Sequence, residues 1–239
     1  MAKQRGPVAS TFSGRVGNVV GAKLKGGEYV TRSYQPSVKN PNTLRQRVSR
    51  LRMATAAKLA AGMAPAIIAG YGKASGSTKM YPRNMFVRNL VKFTPSTPLH
   101  IEGEIAELEF SSIKMSERIG ISNTPIISSL DFETEATIKA SITGQPIVDV
   151  LPAGKMGVVL VAYEPEGNTC VVDMFDAPTT GSANLQMTVP PSWSGLTVHV
   201  YAFFKWVPES GNDIATDEEP WKYPAETGAT AYVGTGNIA

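Results

Sequence analysis

The sequence predicts an α+β chain: an extended, glycine-rich N-terminal arm, a short helical segment and a C-terminal antiparallel β-sandwich. Three observations predict it. Glycine and basic residues crowd positions 1–40, where large apolar residues are scarce. Apolar residues then recur at helical spacing between Leu44 and about Lys92. From about Pro95 they alternate at period two, with turn residues roughly every ten positions, the mark of a small β-sandwich. The chain thus divides into an arm of 1–40, a helical segment of 41–95 and a sandwich of 96–239.

In the arm, Arg15 to Leu24 (RVGNVVGAKL) and Glu28 to Tyr34 (EYVTRSY) read as two short strands. Lys25-Gly26-Gly27 joins them, because a glycine pair supplies the positive φ of a tight hairpin. Val16, Val19, Val20, Tyr29 and Val30 give the β-branched and aromatic content, while Gly14, Gly17 and Gly21 weaken the strands unless another backbone packs closely. A lone two-stranded ribbon is marginal in water. The arm must therefore dock on something.

Helix signals begin at Asn40-Pro41-Asn42-Thr43. Either Asn40 caps with Pro41 at the first helical position, or Thr43 caps and Gln46 completes a capping box. Leu44, Val48 and Leu51 fall on one stripe, with Arg45 and Arg52 flanking it and Arg47 and Arg50 opposite. The alanine-rich run carries the helix to about Gly62, and Pro65 opens a second one over AIIAGYGKA. After a loop at Ser75–Lys79, Arg83 to Lys92 reads as a third, with Met85, Phe86, Leu90 and Asn89 near a core.

Beyond these, Phe132 to Thr143 (FETEATIKASIT) alternates as one half-buried strand. Met156–Tyr163 is a more uniformly buried strand paired with Thr169–Phe175 across Glu164–Asn168. Ala183, Leu185, Met187 and Val189 alternate again, and Leu196–Phe204 makes the longest strand. The acidic stretch Pro208–Pro224 precedes a last short strand near Thr230–Val233.

Candidate chemistry is sparse. His199 lies in TVHVYAFF opposite Val198 and Val200 and reads as a surface or inter-sheet histidine; His100 has no partner in a metal-ligating pattern. Glu102, Glu104, Glu107 and Glu109 are spaced by two or three like a solvated strand face, without the glycine-centred loop of a calcium site. GRVGNVVG lacks the Gly-Lys-Ser/Thr ending of a phosphate loop, and PSWSG lacks the glycine and leading strand of a nucleophile elbow. The single cysteine, Cys170, reads as a small apolar strand residue. No catalytic residue, metal or cofactor follows from these motifs. No segment reaches 18 uninterrupted apolar residues, so no membrane span is expected, and MAKQRGPVASTFSG has no apolar run and is not expected to be a signal peptide.

Charge is the one strong chemical signal. Residues 1–52 hold eleven Lys or Arg against Glu28 alone, a balance of +10, which leaves −7 for the other 187 residues of a chain whose total is +3. Such a split suggests a basic element meeting an acidic partner, either nucleic acid or a neighbouring subunit. Arg45, Arg47, Arg50 and Arg52 are the candidate phosphate or acidic-partner contacts; Gly14, Val16, Gly17, Val19, Val20, Gly21 and Arg32 are the candidate subunit-contact residues of the arm.

Two patches carry a family resemblance. SGRVGNVVGAKLKGGEYVTRSY followed by VKNPNTLRQRVSR has a Gly-x-Val-Gly-Asn-Val-Val-Gly core, a basic hairpin and Asn-Pro-x-Thr leading into Gln46 and Arg47. VPPSWSGLTVHVYAFF has a Pro-x-x-Trp turn and a Val-His-Val-Tyr strand, and Arg83-Asn84-x-Phe86-Val87 fits between. The chain resembles an uncharacterised family of Bacteroidota and their phages, known only as a domain of unknown function. The acidic stretch 208–224 departs from that family's pattern, in which a serine-rich strand soon follows. The resemblance implies an immunoglobulin-like C-terminal sandwich and a phage-structural setting, with no catalytic residues to transfer.

The combined expectation is a non-enzymatic structural subunit of a phage virion, a capsid or tail component, or of a similar assembly. Its arm would add strands to a neighbour's sheet edge. Partners are then further copies or other virion subunits, and the location is the virion or the host cytoplasm. The alternatives are a nucleic-acid-packaging protein, or a surface- or carbohydrate-binding module with Trp193, Trp206 and Trp221 as its platform.

Overall fold

The computed structural model describes residues 2–3, 13–24, 29–37, 42–78, 80–92, 98–117, 120–133, 136–144, 154–178, 182–208 and 227–238. At the N-terminus, β1 (Ala2–Lys3), β2 (Gly14–Val16), β3 (Val19–Lys23) and β4 (Tyr29–Ser33) form an antiparallel sheet in the order β1-β4-β3-β2. The expected strand Arg15–Leu24 is not continuous. It folds back at Gly17-Asn18, where Val16 pairs with Val19 and Gly17 takes φ +59°. Glycine at the first central position of a two-residue loop is the II′ hairpin arrangement, whose twist suits the flanking strands. The turn expected at Lys25–Gly27 lies outside the described residues.

Three helices follow, α1 (Leu44–Gly62), α2 (Ala64–Thr78) and α3 (Pro82–Val91). Of the two caps weighed, Thr43 is the one observed. Its Oγ1 accepts the Gln46 N–H at 3.4 Å, while Gln46 Oε1 accepts the Thr43 N–H at 3.2 Å. The expected apolar stripe is not the buried face: Leu44 is 57% exposed, and the buried residues are Ala56, Leu59 and Ala60. Periodicity finds a stripe whether or not a layer covers it, and here the body covers only the C-terminal half of α1. The loop expected at Ser75–Lys79 is helical through Thr78. A few Ser and Gly residues are a weak argument against extending a nucleated helix, since each added residue gains a backbone bond. In α3, Met85, Phe86 and Leu90 are buried as expected.

The remaining strands are β5 (Leu99–Glu102), β6 (Ile105–Leu108), β7 (Ile126–Glu133), β8 (Thr137–Thr143), β9 (Gly154–Glu164), β10 (Thr169–Asp176), β11 (Ser182–Thr188), β12 (Thr197–Pro208) and β13 (Ala231–Asn237). β5 and β6 form a hairpin; β11-β8-β7 and β10-β9-β12-β13 are two antiparallel sheets. The expected single strand Phe132–Thr143 is in fact the β7–β8 hairpin, with Glu133 opposite Thr137 and Ala136 at φ +52°. Partners four or six positions apart have like parity, so Phe132 and Ile138 share a face and the alternation passes through the reversal unbroken.

The two sheets share an apolar layer. Ile138, Ala140 and Ile142 of β8 and Leu185 and Met187 of β11 meet Val158, Leu160 and Ala162 of β9 and Val198, Val200 and Phe204 of β12. The opposite face of the four-stranded sheet, with Val159, Val161, Tyr163, Val172, Tyr201 and Phe203, packs against the helices and β5. β9 and β12 are therefore covered on both sides, which is why they read as near-continuous apolar runs. The helical segment thus has no core separate from the sheets.

The β9–β10 hairpin tip docks on the end of α1. Asn168, at φ +53°, donates from Nδ2 to Lys58 O at 3.0 Å and accepts from Tyr163 OH at 2.8 Å. The buried Glu164 carboxylate gathers the N–H groups of Glu166 and Gly167 and so closes the tip.

Candidate functional site

Register sorts the arm residues into two faces. Val16 and Val19 pair directly and share a face with Gly14, Gly21, Lys23, Tyr29 and Thr31. Val20 points the other way, with Arg15, Ala22, Val30 and Arg32, and Tyr34 continues that row. The three valines expected to act together are thus split two and one. On the basic face, the Arg15 guanidinium lies 3.5 Å from the Tyr34 ring centroid, and its Nε donates to Gly17 O at 3.0 Å. Val20, Arg32, Ser33, Tyr34 and Gln35 line a surface recess there. Val16 is 64% and Val19 41% exposed, and no described arm residue belongs to either apolar core.

The α1 arginines do not form one surface. Arg45, Arg47 and Arg50 are exposed and Arg52 is half-buried. Arg47 Nε donates to Glu104 Oε1 at 2.7 Å, and Arg50 Nη1 donates to Asn42 Oδ1 at 3.3 Å. Glu104 occupies the turn of the β5–β6 hairpin, where Gly103 takes φ +59°, so the four spaced glutamates do not lie on one strand. Both side chains of the Arg47–Glu104 pair are about half exposed (45% and 56%). Glu104→Gln is accordingly expected to cost less than about 1 kcal/mol in a urea melt; a larger loss would mark the pair as a structural clamp.

His199 projects from β12 toward the helical layer. Its Nδ1 is 3.0 Å from Tyr232 OH, and its ring stacks on Phe110 with centroids 4.0 Å apart. Burial holds its pKa below the usual histidine range. Cys170 is half-buried in β10, and desolvation pushes its thiol up to about 11, which makes it a poor nucleophile. Trp193 and Trp206 are both buried in the layer between the sheets and present no platform; Trp221 lies outside the described residues. Among the described residues, no three His, Cys, Asp or Glu come together as a metal site, and no single helix is long and apolar enough to cross a membrane.

A polar network at the junction of α2, α3, residues 113–117 and the start of β13 was not anticipated. Ser116 Oγ donates to Gly228 O at 2.7 Å, which spends its hydrogen. Thr230 Oγ1, 2.8 Å away, must then donate to Ser116 while accepting the N–H groups of Met115 and Ser116 at 2.9 Å each. Tyr71 OH donates to Lys114 O at 2.8 Å and accepts from Asn89 Nδ2 at 3.2 Å. A cavity of about 370 Å³ opens above this network, between Phe86, Leu90 and Pro98 on the apolar side and Asn89, Ser116 and Thr230 on the polar side. Nearby, Lys205 is fully buried and its Nζ donates to Ala69 O at 3.0 Å. A lone lysine inside the apolar run Val198–Val207 was the one signal in the sequence that pointed here.

Comparison with family models, with curated proteins and with solved structures returns no match. The fold and the site define a mixed helix-and-sheet protein with several antiparallel sheets, whose most distinctive surface is a small glycine-rich sheet standing outside both cores.

Proposed function

We propose that this chain is a non-enzymatic structural subunit of a multi-subunit assembly such as a phage virion, and that its N-terminal arm makes the inter-subunit contacts. The observation that carries this reading is the arm sheet itself: four short strands with Val16 and Val19 exposed and, among the described residues, no core beneath either face. A single-layer sheet has little apolar burial with which to offset its ordering entropy, and a neighbour's surface supplies it. The family resemblance supplies the phage setting. We also read the C-terminal sheets as an immunoglobulin-like sandwich. The strand order supports this: β7, β8 and β11 follow the A-B-E pattern of one sheet, and β10-β9-β12-β13 follows C′-C-F-G.

The test is the mass in solution of the full chain and of a chain lacking residues 1–40, at low and moderate salt. The full chain is expected to form a defined oligomer, and the truncation a smaller folded species whose mass no longer grows with concentration. The same number of copies in both would overturn the reading. A second reading rests on the arm's other face, where Arg15, Arg32 and Tyr34 gather cationic and aromatic groups suited to a phosphate backbone. If the full chain instead binds DNA with an affinity that falls steeply with salt, and the truncation does not, nucleic-acid packaging takes its place.

A further inference from the structure

Among the described residues, the two body sheets leave four edge strands: β10 and β13 on one, β11 and β7 on the other. An unpaired edge is a template for another chain, and proteins blunt it with charges, glycine or proline, or irregular register. Three of the four are blunted here. β10 carries Asp173 and Asp176. β7 carries Asp131 and Glu133, and its register shifts between Ile127 and Ser129. β13 carries Gly234 and Gly236 and pairs with β12 across a shift between Val200 and Tyr201. β11 (SANLQMT) has no charge, proline or glycine, and its seven residues pair with β8 without a break.

β11 is also complementary to itself. Ala183, Leu185 and Met187 face the layer between the sheets, while Ser182, Asn184, Gln186 and Thr188 are exposed on the outer face. A two-fold axis through Leu185, perpendicular to the sheet, sets the strand antiparallel to its own copy and keeps inner residues on the inner face. Small Ala183 then meets the long Met187 of the second copy, and Leu185 meets Leu185. On the outer face Asn184 meets Gln186, and Ser182 meets Thr188. No like charges oppose one another, and only this register pairs the strand from end to end.

We infer that the outer edge of β11 is a homodimer seam, at which a second copy of this chain continues the three-stranded sheet into one of six strands, β7-β8-β11-β11′-β8′-β7′. This contact is independent of the arm. It closes at two copies, so the arms would link dimers rather than form them, and the species left by removing residues 1–40 is then a dimer.

The test uses the full chain carrying Asn184→Cys and Gln186→Cys. Cross-strand partners lie about 4.5–5.5 Å apart at Cα, well within disulfide range, whereas residues two apart on one strand lie about 6.6–6.8 Å apart, at its outer limit, and a bond between those would leave the chain a monomer. Mild oxidation is expected to give a covalent dimer joined 184 to 186, located by peptide mass mapping. The wild-type chain, with Cys170 alone, is expected to give none. A companion full chain with Asn184→Lys and Gln186→Lys sets lysines against lysines across the seam, and its solution mass is expected to fall below that of the wild type with an unchanged circular-dichroism spectrum. Absence of the 184–186 bond, or an unchanged mass in the lysine variant, overturns the inference. The arm reading survives either failure, since its own test compares chains with and without residues 1–40.

Discussion

Gly70→Ala is expected to destabilise the fold by about 3 kcal/mol, seen as a fall in Tm of roughly 6–12 °C for a chain of this size. Gly70 is where α2 lies closest to the segment 113–117. A Cβ there would fall well inside contact distance of Met115 O, and within 2.8 Å of Met115 C and Ser116 Cα. These are backbone atoms, which cannot swing aside as the end of a side chain would. They are also tied down: Glu117 N donates to Gly70 O at 3.3 Å, the Thr227 hydroxyl donates to Glu117 O with Gly70 O 3.3 Å from it, and Ser116 is bonded to Gly228. Alanine gains about 1 kcal/mol over glycine within a helix. Overpacking costs about 1–3 kcal/mol, and each strained hydrogen bond adds about 1 kcal/mol. The penalty therefore outweighs the gain. Gly103→Ala is the control: its Cβ would meet open space, and only the cost of left-handed backbone, about 1–2 kcal/mol, remains. If thermal melts rank the two variants equally, the close approach of α2 to residues 113–117 is wrong.

Much of the fold was legible where one local rule decided the matter. The Thr43–Gln46 capping box fixed the start of α1, and the Glu164–Asn168 turn separated β9 from β10. The three hidden hairpins each escaped for a physical reason. Glu133 pairs with Thr137, four positions on, which preserves the alternation, so periodicity alone cannot see the reversal. At Gly17-Asn18 and Gly103-Glu104 a two-residue loop begins with glycine, a signal that was present but outweighed by the β-prone residues around it. The candidate site was legible as composition and not as geometry. Charge and glycine content marked the arm, but the split of Val16 and Val19 from Val20 depends on register, and register depends on a turn. The buried network of Tyr71, Ser116 and Thr230 was out of reach, because its partners are contributed by segments up to 115 positions apart.

Lys205 should make stability depend on pH in a range where few side chains titrate. It is fully buried on the helix-facing side of β12, and burial lowers its pKa from 10.5 to about 7. Between those values the unfolded chain holds a proton that the folded chain has released, so stability rises with pH at up to about 1.4 kcal/mol per unit. The cost of the buried charge is complete below about pH 7 and fades as pH climbs toward 10.5. Two groups work in the opposite sense at the alkaline end. Desolvation pushes the Cys170 thiol from 9.0 to about 11 and the Tyr163 phenol from 10.0 to about 12, so each keeps a folded-state proton that the unfolded chain loses. The rise should therefore be cleanest between pH 7 and 9, reaching about 2–3 kcal/mol. Lys205→Met removes the titrating group at similar volume. It should be as stable as the wild type or more so at pH 6, where no buried charge need be accommodated. At pH 9 the wild type still carries about 2 kcal/mol of that cost, about half offset by the bond to Ala69 O, so the variant's advantage should be smaller than at pH 6 by about 2–3 kcal/mol. Urea midpoints of the two chains should therefore converge as pH rises from 6 to 10. Parallel curves would mean that Lys205 keeps its charge in the folded chain.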